Sequence, residues 1–349
     1  MAKALVTGAS GFFGGLLADR LLREGWEVVN YDRVPNAARH ERLTNILGDL
    51  RNPELLQKTF AEHRFNVVYH CAAVLAHGLH LDKHDLWTSN VDATRLLAEM
   101  ARQRGVSKFV FTSSNCLWAR NLGHPVNEDE PPQPIEIYGK SKWEAEKELV
   151  KLAASDGSFD VVMLRCPTII ESGRLGLLSI LFEFMQENKT VWVVGKGGNR
   201  YQFIYAQDLA SACLMALHVT GFRLYHVGSD HVPSLRKCYE DVIAASGSRS
   251  KVRSLPKAPT LALMQLTHRL HLSPLGPYHY SMIAEDFLFD TSRIKKDLDW
   301  QPTLTNSQML ERAYRYYAEH KDEIHTRENV SAHSKPASMG LIRLLKWIS

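Results

Sequence analysis

Thr7-Gly8-Ala9-Ser10-Gly11-Phe12-Phe13-Gly14 is the stretch that decides the fold of this chain. It follows a short apolar run, Lys3–Val6, which predicts a buried strand, and it precedes a helical pattern of leucines that ends at Gly25. Glu27–Tyr31 then predicts a second strand, and Asp32 follows it directly. The order of strand, glycine turn, helix, strand and acid is typical of the first unit of a doubly wound α/β fold.

The glycine turn also predicts a ligand. Small residues let the backbone approach a pyrophosphate, and the helix that follows offers free N–H groups and the positive end of its dipole. Asp32 is placed to accept the ribose hydroxyls. Its carboxylate favours NAD because it would repel the 2′-phosphate of NADP. Because Arg33 stands beside it, NADP is also compatible with the sequence. The other interpretation is a glycine-rich turn without a ligand.

Strands and helices continue to alternate after this unit. Further strands are predicted at Asn45–Leu47, Val67–His70 and Phe109–Thr112, with helices near Pro53–His63 and Leu86–Arg104 between them. Alternation over about 150 residues implies a parallel sheet with helices on both faces. The predicted fold class is therefore α/β, a Rossmann-type doubly wound parallel sheet.

The regular pattern loosens after about residue 165. Val161–Leu164 and Val191–Val194 predict further strands, and Thr305–His320 predicts a final helix. We expect a dinucleotide-binding domain over residues 1–165 with returning segments from about 190–230, and a smaller, less regular substrate lobe over 166–322.

Residues 323–349 differ in composition from the rest. His325–Ser338 is polar and linker-like, and Met339–Ile348 predicts a short basic amphipathic helix. Its apolar stripe consists of Leu341, Leu344, Leu345 and Ile348. A helix of this kind can lie on an anionic membrane surface, on its own body or on a partner chain. The sequence leaves these three open.

Composition excludes several classes of protein. The 349 residues are 45% apolar and 23% charged, as in an ordinary globular protein. The net charge of +4 is small for this length and does not indicate nucleic-acid binding. Five cysteines without Cys-x-x-Cys spacing predict reduced thiols in a cytoplasmic protein. No apolar run approaches the ~18 residues of a membrane span. Met1-Ala2-Lys3 runs directly into the first strand, so we expect no signal peptide.

Tyr138-Gly139-Lys140-Ser141-Lys142 opens a predicted helix. Residues four apart share one helix face, so Tyr138 and Lys142 lie one turn from each other. An ammonium within about 4–6 Å of a phenol favours the phenolate, and we therefore expect Lys142 to lower the pKa of Tyr138. Such a phenol could move a proton at neutral pH. Alternatively, the two residues are simply an exposed pair on an amphipathic helix.

These motifs together resemble the extended short-chain dehydrogenase/reductase family, which includes NAD-dependent sugar epimerases, dehydratases and 3β-hydroxysteroid dehydrogenase-like enzymes. Phe111-Thr112-Ser113-Ser114 resembles the strand end that supplies the catalytic serine or threonine. The register of the following Leu117-Trp118 identifies that residue as Ser114. The resemblance implies a catalytic set of Ser114, Tyr138 and Lys142.

The resemblance also implies the cofactor and substrate contacts. The cofactor residues are Gly8, Gly11, Phe12, Phe13, Gly14, Asp32, Arg33, Asp49, Leu50, Cys71, Ala72, Ala73, Asn90, Tyr138, Lys142 and Pro167. The substrate residues are Val74, Asn115, Cys116 and Arg200.

Departures from the family pattern narrow the chemistry. Dehydratases of the family carry Asp-Glu after the catalytic residue, where this chain has Asn115-Cys116, and this argues against dehydration. Arg200 stands near the position of a diphosphate-binding arginine, but Tyr280 replaces a second one. The apolar Pro256–Leu275 region is compatible with a lipidic substrate or a polyprenyl-linked sugar.

A group of histidines offers a competing metal site. His77, His80 and His84 lie with Asp82 and Asp85 in one loop, and such side chains can ligate a metal. Extended short-chain dehydrogenases need no metal, so the resemblance implies a polar loop over the cleft.

The predicted function is therefore that of an NAD-dependent epimerase. Such an enzyme oxidises a secondary hydroxyl of a sugar nucleotide or lipid-linked sugar to a transient ketone. The alternatives are an NAD(P)-dependent dehydrogenase of a hydroxysteroid-like or other lipid alcohol, and a dinucleotide-binding protein without catalysis. The resemblance further implies a homodimer through the helices Leu86–Arg104 and Lys142–Ala154.

Overall fold

A computed structural model describes residues 1–76, 81–118, 121–155, 157–270, 276–324 and 336 of this chain. The strands are β1 (Lys3–Thr7), β2 (Glu27–Asp32), β3 (Leu43–Leu47), β4 (Val67–His70), β5 (Lys108–Ser114), β6 (Asp160–Cys166), β7 (Thr168–Ile170), β8 (Val191–Val194), β9 (Phe203–Tyr205), β10 (Phe222–His226) and β11 (Val252–Leu255). The helices are α1 (Phe12–Arg23), α2 (Pro53–Glu62), α3 (Lys83–Trp87), α4 (Ala93–Gln103), α5 (Ile137–Ser155), α6 (Leu178–Gln186), α7 (Ala206–Met215), α8 (Leu235–Ser246), α9 (Lys257–Arg269), α10 (Pro277–Ala284), α11 (Ser292–Leu298), α12 (Asn306–Glu319) and α13 (Lys321–Ile324).

Seven of these strands form one parallel sheet in the order β10-β6-β5-β4-β1-β2-β3. Alternate residues of β1 point to opposite faces, and both faces are covered by helices. Ala4 and Val6 pack with the core under α1 and α7, whereas Leu5 packs with the core under α2, α4 and α5. This confirms the predicted Rossmann-type fold.

The chain changes direction across the sheet between β1 and β4. From β1 it winds outward to β2 and β3, and from β4 it winds the other way to β5 and β6. Thr7 and His70 end these two strands side by side. A cleft opens at such a switch point, at the carboxyl ends of the strands, and ligands bind there in folds of this type.

Two predicted elements differ from the structure, and one strand of the large sheet was not predicted. The helix predicted at Leu86–Arg104 consists of α3, a π-helical turn at Thr88–Asp92, and α4. The predicted strand Val191–Val194 is present but pairs with β11, outside the large sheet. The edge strand β10, which pairs with β6, carries no clear strand signal because its first two residues are exposed.

A second hydrophobic core lies on the carboxyl side of the sheet. It is built by α6, α8 and α12 around the two small sheets, β8–β11 and β7–β9. Phe182, Val242, Met309 and Tyr317 are among its buried members. This part of the chain supplies one wall of the cleft.

Helix α9 exposes an apolar face. Leu263 and Leu266 are 61% and 53% exposed, and Leu270, just beyond the helix, is 58% exposed. Within the described ranges, no helix is long and apolar enough to cross a membrane. The amphipathic stretch predicted at Met339–Ile348 lies outside the described residues, so its prediction stands untested.

Helix α5 is fixed to the sheet by a buried ion pair. The Nη2 of Arg165, on β6, lies 2.6 Å from Oε2 of Glu146, on α5, and Nε lies 3.0 Å from Oε1. Arg165 is 2% exposed and Glu146 is fully buried. Trp118 covers the guanidinium, with its ring centroid 5.1 Å from Cζ. The pair thus holds the middle of α5 against β6.

We expect Arg165→Met to lower the free energy of unfolding by about 3–5 kcal/mol, because it leaves the Glu146 carboxylate buried without a partner. Urea unfolding followed by circular dichroism measures the loss. Lys151→Met is the matched control, since it removes a cation from an exposed ion pair on the same helix. Its cost should stay below about 1 kcal/mol. Equal losses in the two variants would contradict the role assigned to the buried pair.

Candidate functional site

The glycine turn brings three backbone segments into contact. Gly8 has a φ of +73°, and a Cβ there would lie 2.8 Å from the Cα and N of Ala72. A Cβ at Gly14 would overlap the carbonyl oxygen of Gly8. The N–H of Gly11 donates to that same oxygen at 2.9 Å. Side chains at Gly8 and Gly14 would therefore push α1 and the loop after β4 away from the end of β1.

The N-terminus of α1 is open to the cleft. Gly11 is its N-cap, no side chain caps it, and its first turn, which begins with Phe12 and Phe13, carries no acid. The first N–H groups of a helix lack partners within the helix, and the helix dipole places positive charge there. This end of α1 therefore fits a pyrophosphate.

Asp32 lies beside the glycine turn, at the end of β2. Its Oδ2 accepts a hydrogen bond from the N–H of Ser10 at 3.1 Å, and its Oδ1 accepts one from the N–H of Arg33 at 2.7 Å. These bonds hold the carboxylate at the edge of the turn. It can accept hydroxyl groups of a ribose from that position.

Arg33 is engaged in a cluster of charges. Its Nη2 lies 2.9 Å from Oδ2 of Asp49 and 3.6 Å from Oδ1 of Asp85. Arg51 contacts the same two carboxylates, and its hydrogen bonds hold the pKa of Asp49 well below the usual range. Arg33 is thus bound to acids rather than held ready for a 2′-phosphate. Leu50, which follows Asp49, is buried in the core.

The end of β4 is held by a buried histidine. His70 Nδ1 lies 2.7 Å from Oγ1 of Thr7, and its Nε2 lies 2.7 Å from Oγ1 of Thr94. Burial lowers the pKa of His70 to about 3, so the ring is neutral at pH 7. Thr7 Oγ1 also accepts the N–H of Ala72, which positions the loop that contains Cys71, Ala72 and Ala73.

Asn90 connects this loop to α5. It lies in the π-helical turn and is 2% exposed. Its Oδ1 accepts the N–H of Val74 at 2.7 Å, and its Nδ2 donates to the Val74 carbonyl at 2.9 Å and to Oγ of Ser141 at 3.0 Å. One side chain therefore fixes the cofactor-side loop and the start of α5 relative to each other.

Ser114, Tyr138 and Lys142 meet where β5 ends and α5 begins. The hydroxyl group of Ser114 lies close enough to that of Tyr138 to influence its pKa, and Oγ of Ser114 accepts the N–H of Cys116 at 3.1 Å. Lys142 Nζ donates to the carbonyl of Thr112 at 2.7 Å and lies 3.8 Å from the ring centroid of Phe111. A Cβ at Gly139 would overlap the carbonyl oxygen of Cys116, so glycine allows α5 to begin this close to Ser114.

The protonation of this group differs from the prediction. The sequence predicts that Lys142 lowers the pKa of Tyr138, but burial raises that pKa, and the prediction is wrong for the structure. The reason is that a buried phenolate loses its hydration, while the Lys142 ammonium is directed to the Thr112 carbonyl. Burial also lowers the pKa of Lys142 to about 8. Tyr138 is thus a neutral donor in the absence of a ligand.

The candidate substrate residues separate into two places. Asn115 is 2% exposed, and its Nδ2 donates to the hydroxyl of Tyr201 at 2.7 Å. Tyr278 contacts Tyr201 at 2.7 Å between hydroxyls and Oδ1 of Asn115 at 3.4 Å. Arg200 is not drawn into this group, because its side chain is 53% exposed and pairs with Asp286 at 3.5 Å.

Sequence reasoning did not single out Tyr201 and Tyr278. Tyr201 directly follows Arg200, the candidate substrate residue, and this proximity was the available signal. Tyr278 had no local signal, because it reaches Asn115 from α10 through the tertiary fold. Burial raises the pKa of both phenols, so both are neutral at pH 7, and both contact Asn115, the residue after Ser114.

The candidate metal loop is only partly described. His77 and His80 lie outside the described residues, and Asp82 and Asp85 serve other roles. Asp82 caps α3 by accepting the N–H groups of His84 and Asp85, and Asp85 pairs with Arg51. The described part of the loop therefore adds nothing to the metal interpretation.

Comparison with known proteins places these features in a family context. The profile of the NAD-dependent epimerase/dehydratase family matches residues 4–228, well over half of the chain. An uncharacterised protein of Sinorhizobium fredii is 33% identical over 344 residues, covering 99% of this chain and 85% of that protein. The UDP-glucose 4-epimerase of Neisseria meningitidis serogroup C is 27% identical, covering 90% of this chain and 97% of the enzyme.

A solved structure shares the fold. The UDP-glucose 4-epimerase of Thermotoga maritima, crystallised with UDP-glucose, superimposes with a TM-score of 0.76 at 20% identity. The match covers 91% of this chain and 99% of that enzyme.

We expect Gly14→Ala to weaken NAD binding by about tenfold or more, because the added methyl group displaces α1 from the turn. Isothermal titration calorimetry of the purified variant with NAD measures the change. Gly157→Ala is the control, since a Cβ there meets no atom within 4 Å. Equal NAD affinity in Gly14→Ala and the wild type would show that the turn does not bind the cofactor.

Asp32→Ala should weaken NAD binding about tenfold, because the ribose hydroxyls lose their acceptor. It should bring no gain in NADP binding, since Arg33 is held by Asp49 and Asp85. Titration with each cofactor tests both statements, and Asp19→Ala, an exposed acid on α1, is the control. Unchanged NAD affinity would mean that the acid does not contact the cofactor.

Proposed function

Because the chain belongs to the NAD-dependent epimerase/dehydratase family, we propose that it epimerises a secondary hydroxyl of a nucleoside diphosphate sugar. Two kinds of similarity support a UDP-sugar 4-epimerase. The Neisseria relative, which this chain matches over 97% of its length, is named a UDP-glucose 4-epimerase. The Thermotoga enzyme of the same fold was crystallised with UDP-glucose. A lipid-linked sugar is the alternative substrate of the same chemistry, and the exposed apolar face of α9 is compatible with it.

The observation that carries the proposal is that the hydroxyl groups of Ser114, at the end of β5, and Tyr138, at the start of α5, lie close enough to interact. Two neighbouring hydroxyl groups can contact one substrate oxygen together. Ser114 orients that oxygen, and Tyr138 gives it a proton or takes one from it. The raised pKa of Tyr138 keeps the proton on the phenol until a ligand alters its surroundings.

The cofactor fits the residues around this pair. Gly8, Gly14 and the N-terminus of α1 would hold the pyrophosphate, Asp32 would hold a ribose, and Lys142 would hold the nicotinamide ribose. When bound, NAD supplies a nicotinamide that exchanges a hydride with the substrate carbon and, in its oxidised form, a positive charge that favours the Tyr138 phenolate.

Asn115 and Cys116 argue for epimerisation over dehydration. Loss of water from a sugar requires a base for the neighbouring carbon and an acid for the leaving hydroxyl. Asn115 cannot titrate, and burial raises the pKa of the Cys116 thiol to about 12. Neither side chain offers a proton acceptor at neutral pH.

Assembly and location remain predictions. Helices α4 and α5 pack side by side, and a groove between them is lined by Arg95, Glu99, Glu148 and Lys151. A homodimer would use this surface. Cytoplasmic localisation and contact of the C-terminal segment with a membrane likewise stay predictions.

We expect Tyr138→Phe to slow interconversion of UDP-glucose and UDP-galactose by about 10³-fold or more, with NAD affinity changed less than about threefold. Proton NMR of the sugar anomeric signals follows the reaction. Tyr314→Phe is the control, because its hydroxyl contacts Gln186 and lies outside the candidate catalytic group.

Two outcomes would contradict the proposal. Full activity of Tyr138→Phe would remove Tyr138 from the mechanism. A wild-type protein that retains NAD but converts no nucleotide sugar would favour the dehydrogenase alternative or a dinucleotide-binding protein without catalysis.

A further inference from the structure

Arg174 is a cation in the cleft that the mechanism does not use. It follows β7 in the loop that leads to α6, and its N–H donates to the carbonyl of Glu171. Its guanidinium faces the first residue of α1, with Cζ 5.8 Å from the ring centroid of Phe12. The side chain therefore reaches from the second wall of the cleft toward the glycine turn.

The guanidinium has no anionic partner within the described ranges. Its Nε is buried without a hydrogen-bond acceptor. Glu171, three residues earlier, is already paired with Arg312, with Nε and Oε1 2.7 Å apart. Burial lowers the pKa of Arg174 to about 10, so the group is still charged at pH 7.

The side chain of Arg174 is half-buried, and its Nε is shielded from water. Removing part of a charged group from water without giving it a partner is unfavourable, and proteins normally pair such groups. Arg165 in the same chain follows that rule through Glu146. Arg174 has no such partner among the described residues. A ligand that brings its own negative charge would compensate this cost.

The neighbours of Arg174 lie on the substrate side. The phenol of Tyr278 is close enough to interact with its charge. Tyr278 also contacts Oγ1 of Thr168 at 3.5 Å and Oδ1 of Asn115, which follows Ser114. Arg174 therefore lies between the glycine turn and the polar group around Asn115.

We propose that Arg174 binds an oxyanion of the substrate, either a carboxylate on the reacting sugar or a phosphate of the nucleoside diphosphate, in the cleft between Phe12 and Tyr278. This inference rests on the proposed function. Arg200, the arginine that the sequence singled out, is less suited because it is exposed and already paired with Asp286. A guanidinium can meet either oxyanion with two parallel hydrogen bonds.

The NAD pyrophosphate is a weaker candidate for this contact. The N-terminus of α1 already offers it unpaired N–H groups and a positive dipole end. Arg174, in contrast, belongs to the loop after β7, the strand whose first residue, Thr168, contacts Tyr278. Its charge is thus available to the second ligand in the cleft.

The test is calorimetric titration of NAD-saturated Arg174→Gln with UDP-glucose and with UDP-glucuronic acid. We expect about tenfold or greater loss of affinity for at least one of them, with NAD affinity within about threefold of the wild type. Loss for both sugars assigns the diphosphate, and loss for UDP-glucuronic acid alone assigns the carboxylate. Arg223→Gln, an exposed arginine on β10, is the control.

Unchanged affinity for both nucleotide sugars, or a loss confined to NAD, would overturn the inference. A second measurement separates a ligand-binding arginine from a structural one. Ligand-free Arg174→Met should melt at or above the wild-type temperature, because an unpaired charge is removed. A clear fall in melting temperature would indicate a structural role and would also count against the inference.

Failure of the proposed function gives a different pattern. If the wild type binds neither nucleotide sugar, that function falls, and Arg174 is tested with inorganic pyrophosphate alone. Pyrophosphate should then raise the melting temperature of NAD-saturated wild type but not of Arg174→Gln. An equal rise in both proteins would overturn the inference about Arg174.

Discussion

The close approach of three backbone segments is the constraint on which the rest of this structure depends. The turn after β1, the start of α1 and the loop after β4 touch without intervening side-chain atoms, since Gly8 faces Ala72 and Gly14 faces Gly8. This contact places the open end of a helix at the switch point of the sheet. Asp32 then lies on one side of the turn, and the loop that Asn90 holds lies on the other. The position of a dinucleotide follows from this contact.

Burial decides the charge of the groups around that position. His70 is neutral, Lys142 has a pKa of about 8, and Tyr138 holds its proton, because each charged form would lose its hydration. A buried site of this kind responds strongly to an entering ligand, since a new charge is poorly screened there. The proton of Tyr138 is therefore governed by what occupies the cleft more than by the neighbouring ammonium.

The polar groups on the two walls of the cleft differ in whether they have partners within the protein. On the dinucleotide side, Asn90 and the ion pair of Glu146 with Arg165 are satisfied within the protein. On the other side, Tyr278 reaches Asn115 across the cleft, and Arg174 finds no anion among the described residues. These groups of the first wall are thus satisfied as folded, and the second wall leaves binding capacity for a charged ligand.

The amino-acid sequence by itself determined the first βαβ unit, the strand Val67–His70 and the helix that presents Tyr138 with Lys142. These features arise from short-range patterns, namely apolar periodicity, glycine spacing and residues four apart on a helix. Only the tertiary structure decided that β10 closes the edge of the sheet, that Tyr278 joins Asn115 and that the pKa of Tyr138 rises. Those outcomes depend on burial and on contacts between distant parts of the chain. The local spacing of residue types determines neither.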